Sequence, residues 1–163
     1  MLPRLVLLLA LLATVASYWT GLHGPFLFDD PGNLEPVRLW LAGKLSLAEV
    51  ILPQPSLIYS RPVSMASFVL TALISGDSGF GFKLGNLLVH LACGVLGYAV
   101  LRQALRLDAR LAQHASLLAA LIAAIWLLHP LHASTVLYAV QRMAQLGFVA
   151  QTSPVALVVS EHE

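Results

Sequence analysis

Apolar residues come in blocks along this chain, and the blocks set its organisation before any motif is considered. Residues 5–22, "LVLLLALLATVASYWTGL", carry no charge, follow Arg4 and end near Tyr18 and Trp19. That pattern predicts a spanning helix with a cytoplasmic N-terminus and an aromatic anchor at its far end. A cleavable signal peptide is the rival, because small residues around Ala16 and Ser17 follow an apolar core of suitable length. Residues 84–101 predict a second span, followed at once by Arg102, Arg106 and Arg110, and residues 115–132 a third, closed by "HPLH".

Between the first two spans, residues 23–83 form an external loop. Its polar part carries Pro25, Pro31, Pro36, Pro53 and Pro55, with a short surface helix expected in "EPVRLWLAGKLSLAEV". Residues 62–75, "PVSMASFVLTALIS", reach only about 21 Å against a hydrocarbon core of roughly 30 Å. They predict an interfacial helix, with Ser64, Ser67, Thr71 and Ser75 on one face. With that segment outside the bilayer, the second span returns the chain to the cytoplasm and delivers the three arginines there, as the positive-inside rule requires. In "ASTVLYAVQRMAQLGFVA" the spacing of Ser134, Tyr138, Gln141 and Gln145 predicts an amphipathic helix on the outer surface. Residues 1–150 thus form one membrane domain, and residues 151–163 a disordered tail.

Composition agrees with this layout. Of 163 residues 58% are apolar and 10% charged, with positive mean hydropathy, which places the chain among polytopic membrane proteins. A net charge of +1 from scattered basic residues excludes a nucleic-acid partner. The lone Cys93 permits no internal disulfide and reads as a buried apolar side chain.

Candidate chemistry gathers on the external side. Asp29 and Asp30 adjoin one another in a chain with eight acids, so either is a candidate general base on an acceptor hydroxyl; "DDPGN" is equally good turn chemistry. Arg61 and Arg142 are candidates to hold a phosphate, which a guanidinium matches as a bidentate donor. His129 and His132 have no third metal ligand at hand, and Pro130 disturbs the helix that would align them. Asn86 and His90 share a face of the second span, where polar pairs either line a functional pocket or bind helices together.

Four blocks, "FLFDDPGNL", "YSRPVSMASFVL", "GFKLGNLLVHL" and "LLHPLHASTVLYAVQRMAQL", occur in the order and approximate spacing found in the N-terminal part of GT-C fold glycosyltransferases. Over residues 20–148 the chain resembles bacterial relatives of the transmembrane TPR-type O-mannosyltransferases. The resemblance implies a partial GT-C fold: an all-α integral membrane protein with three transmembrane helices and two interfacial amphipathic helices. It also implies an inverting enzyme of the bacterial inner membrane, transferring a sugar from a polyprenyl-phosphate donor to a protein or glycan acceptor outside the cytoplasm. A divalent cation is an allowed cofactor and no metal ligand is assigned. By the same resemblance Asp29 is the base and Asp30 its neighbour or an acceptor-positioning group; charge and side make Arg61 and Arg142 the candidates for the phosphate, and Asn86, His90 and His129 are candidates to border the pocket. Family members carry many more spans, and the block pattern gives way after Leu146, so a truncated chain with an incomplete donor pocket is expected. The rival from another class is a small non-catalytic membrane protein that binds a larger membrane partner.

Overall fold

The computed structural model describes residues 1–52 and 61–160, with side chains as far as residue 152. Pro53 and Pro55 of the expected loop and the last three residues of the expected tail lie outside this range. Among the described residues all regular secondary structure is helical: α1 (Leu2–Trp19), α2 (Asp30–Leu41), α3 (Leu47–Ile51), α4 (Pro62–Ser75), α5 (Gly79–Arg106), α6 (Ala115–Leu127), α7 (His132–Leu137) and α8 (Arg142–Ser160).

Among the described residues two helices are long and apolar enough to cross a membrane: α1 with its 3-10 extension to His23, and α5. At 1.5 Å per residue they reach about 33 and about 42 Å. The third expected span differs, since α6 holds only 13 residues, about 20 Å. Its regular helix ends at Leu127, and a turn through Pro130 leads into α7.

Side-chain contacts fix the directions of these helices. Trp19 and His23, at the end of α1, meet Phe80 at the start of α5, so the two run antiparallel. The α6 terminus, Leu127, sits at the level of His90 and Gly94, so α6 runs back along α5. Small side chains allow close approach: Ala115, Ala119, Ala120 and Ala123 of α6, Ala10 and Thr14 of α1, and Gly94 of α5. Arg4, Arg102 and Arg106 consequently lie toward one end of the bundle, and Asp29, Asp30 and Asp77 toward the other.

The C-terminal part departs from the expected surface helix and tail. The segment breaks at Tyr138, whose ψ is 122°, and α8 then runs down the side of α5, with Arg142 at Asn86 and Gln145 at Cys93. The polar stripe at Ser134, Tyr138, Gln141 and Gln145 is therefore divided between separate helices, and Arg142 and Gln145 are buried. Helix α8 continues past Gln151 to Ser160, where a frayed tail was expected. Between α5, α6 and α8 lies an apolar cavity of about 340 Å³, bordered by Gly97, Ile122, Trp126 and Phe148 among others.

The acidic end is capped by α2, α3 and α4 around Leu34, Val37, Val50, Phe68, Val69, Ala72 and Phe82. Helix α2 starts within the sequence that reads as a turn: Asp29 is its N-cap residue and Pro31 lies in its first turn, where the missing N–H costs no bond. Ser46 and Glu49 form a capping box at α3. Helix α4 spans 62–75 as the sequence predicts, closed by Gly76 at φ 62°. Its hydroxyl stripe points inward, though: Ser64 is buried and Thr71 meets Arg142, while Val63, Leu70, Leu73 and Ile74 stand 60–80% exposed. An outward face of that kind suits hydrocarbon better than water.

Candidate functional site

The two adjacent aspartates occupy different environments. Asp30 is fully buried. Its Oδ2 accepts the backbone N–H of Leu27 at 3.1 Å and its Oδ1 that of Val140 at 3.0 Å, which suits a group with acceptors only. Asp29 is exposed at the head of α2; its side chain makes no capping bond, and its carbonyl accepts from Asn33. The carboxylates therefore do not share one site. Asp30 holds the first loop to the α7–α8 break, and Asp29 faces outward.

Asn86 serves the same break from the other side. Its Nδ2 donates to the carbonyls of Tyr138 and Ala139, the latter at 3.2 Å, and its Oδ1 accepts from Nε of Arg142 at 2.9 Å. The backbone groups freed by the interruption thus find side-chain partners.

Arg142, expected to face a lipid-linked phosphate, is instead directed inward. Nη1 donates to the Ser67 carbonyl and to Thr71 Oγ1, and Nη2 to the Phe82 carbonyl at 2.6 Å. The guanidinium also lies 5.0 Å from the Phe68 ring centroid. Burial lowers its pKa to about 10, so it stays charged at neutral pH. It joins α4, α5 and α8, with four of its five N–H donors committed to the protein. Arg61, the other expected phosphate contact, is exposed at the head of α4, with Nη1 3.1 Å from the sulfur of Met143.

The histidines form a separate group. His90 is buried; since a carbonyl only accepts, its contact with the Leu127 oxygen at 3.1 Å puts a proton on Nε2, and in the neutral imidazole Nδ1 is then an acceptor with no hydrogen-bond partner among the described residues. Its ring stacks on Trp126 at 4.8 Å and lies 5.1 Å from His132. His129 is exposed and accepts the Leu131 N–H. Among the described residues no hydrogen bond joins His90 or His129 to the acid pair. No cluster of three or more His, Cys, Asp or Glu side chains suited to a metal ion occurs among the described residues.

Sequence reasoning missed two features. Lys83 is buried and donates to the carbonyls of Gly24 and Pro25 at 2.9 and 2.7 Å, close enough to Asp30 for the charges to interact. A lysine near the head of an apolar helix was the available signal. The second is a stacked pair: Phe28, 84% exposed, lies parallel to Tyr138 at 5.4 Å and 7°. Nothing in the local sequence joins residues so far apart.

Comparison with protein-family models, curated proteins and solved structures gives no match to any of them.

Proposed function

We propose that the chain is an integral membrane protein of the glycosyl-transfer class, in which Asp29 is the general base for an acceptor hydroxyl on the extracytoplasmic face. The observation that carries this reading is the division of the acid pair: Asp30 has both oxygens occupied within the fold, whereas Asp29 is open at the head of α2. A base must reach the proton it removes, and only Asp29 is free to do so.

The orientation follows from charge. The end holding Arg4, Arg102 and Arg106 lies in the cytoplasm, and the cap formed by α2, α3 and α4 lies outside. Helices α1 and α5 cross the bilayer, the third crossing is made by α6 together with the segment that follows it, and α4 rests with its apolar face in lipid. In the reaction, the Asp29 carboxylate takes the proton of the acceptor hydroxyl as that oxygen bonds to the anomeric carbon. The bond from that carbon to the phosphate oxygen breaks with inversion, and polyprenyl phosphate leaves. Of the two arginines assigned to the phosphate, Arg61 keeps that role.

The test is transfer of labelled sugar from polyprenyl-phosphate donors by membranes containing the chain, beside Asp29→Asn. Transfer by the parent and its loss in the variant, with the protein still inserted, support the assignment. Equal transfer by both rejects Asp29 as the base.

A second reading, a non-catalytic protein bound to a larger membrane partner, is favoured by the internal commitment of Arg142 and the bare apolar face of α4. A photo-crosslinker in place of Leu73 separates the two: lipid adducts fit the first, and one discrete protein adduct fits the second.

A further inference from the structure

Phe28 is held in a strained conformation with most of its ring outside the fold. Its φ of 44° makes it the sole non-glycine residue at positive φ among the described residues, a conformation that the Cβ disfavours. Its ring is 84% exposed, so burial does not compensate. The conformation is fixed from both sides: the Asp30 amide bonds the Leu27 carbonyl at 2.9 Å, and the Asp30 carboxylate bonds Leu27 N–H and Val140 N–H. One face of the ring lies parallel on Tyr138, 5.4 Å away at 7°. The exposed Asp29 follows directly in the chain.

We infer that Phe28, backed by Tyr138, is a stacking platform for the pyranose ring of the sugar that reacts beside Asp29. This rests on the glycosyl-transfer reading and adds the group that positions the ring. An aromatic face is electron-rich, and a pyranose offers one face of C–H bonds to it. The sugar's hydroxyls are donors, and a neighbouring carboxylate accepts from them. Burying the Phe28 ring in lipid instead would bring the Asp29 charge toward hydrocarbon, at high desolvation cost.

The experiment uses the full chain in phospholipid nanodiscs, with methyl pyranosides of manno, gluco and galacto configuration as probes, read by saturation-transfer NMR. Phe28→Gly removes the ring and suits the positive φ, so its thermal midpoint stays at or above that of the parent. Phe28→Trp keeps an aromatic face. The expected result is saturation of the sugar C–H protons by the parent and by Phe28→Trp, reduced at least fivefold in Phe28→Gly. No saturation by the parent, or equal saturation by Phe28→Gly, overturns the platform. So does strong quenching of the introduced indole in Phe28→Trp by lipids brominated along their acyl chains, which identifies a lipid anchor. The two readings fail separately: pyranoside binding through Phe28 without sugar transfer sinks the transferase and leaves the platform. Transfer undiminished in Phe28→Gly sinks the platform and leaves the transferase.

Discussion

Asp30 and Val140, 110 positions apart in sequence, are joined by a carboxylate-to-amide hydrogen bond of 3.0 Å that closes the first loop onto the break between α7 and α8. With the Leu27 bond it uses both oxygens of the side chain. An amide in their place offers one acceptor and one donor, so one buried N–H loses its partner. Asp30→Asn is expected to cost about 1–3 kcal/mol of stability, and the exposed Asp29→Asn to stay within about 0.5 kcal/mol. Thermal unfolding of the three proteins in the same detergent checks the difference.

Arg142 makes four hydrogen bonds in the interior, to Asn86, Ser67, Thr71 and Phe82. A lysine has a compact ammonium and cannot reproduce that planar fork. Arg142→Lys should lose about 2–3 kcal/mol through acceptors left without donors. Gly85→Ala should act through the same residue, because a Cβ there would lie 2.3 Å from Nη2 of Arg142. The two losses should be less than additive in a double-mutant cycle measured by unfolding.

The glycines of α5 make a contrast within one turn. A Cβ on Gly94 would come within 2.5 Å of Leu127, whereas one on Gly97 meets nothing within 4 Å and borders the apolar cavity. Gly94→Ala is expected to separate α5 from α6 at a cost of about 1–3 kcal/mol. Gly97→Ala should be neutral or stabilising, since alanine favours helix by about 1 kcal/mol. Paired unfolding curves distinguish them.

Tyr138 reports on the acid pair. Burial raises the pKa of its phenol above the ordinary tyrosine value, and the charges of Asp29 and then Asp30 add to the rise. All three disfavour the phenolate, so the neutral form persists to higher pH than in a free tyrosine. Removing one negative neighbour must move the titration down. In ring-labelled protein, the Tyr138 NMR signal of Asp29→Asn should titrate at lower pH than that of the parent; an unchanged or higher midpoint would place Asp29 away from Tyr138.

Local patterns were legible where local rules decide them. Pro62 and Gly76 bound α4 in the sequence as in the structure, and the apolar run at 84–101 lies wholly inside α5. What local patterns could not supply was direction and interruption. The spacing of Ser64, Ser67, Thr71 and Ser75 gives a helical stripe, but whether it faces water or protein depends on Arg142, some 70 residues on. The continuous helix expected through Tyr138 is broken because Asn86 and Asp30 satisfy the backbone groups that the break releases. For the acid pair, residue types pointed to a base or a turn; the first turn of α2 turns one carboxylate inward and leaves the other outside. Phe28 and Tyr138 meet only through that same long-range bond.

The central claim is that Asp29 is the available carboxylate of the pair and Asp30 a structural one. The most direct measurement is modification of the folded chain in nanodiscs by a water-soluble carbodiimide and a small amine, with the modified residues located by peptide mass spectrometry. The account predicts labelling of Asp29 and protection of Asp30 until the protein is unfolded. Equal labelling of both, or labelling of Asp30 ahead of Asp29, would contradict it.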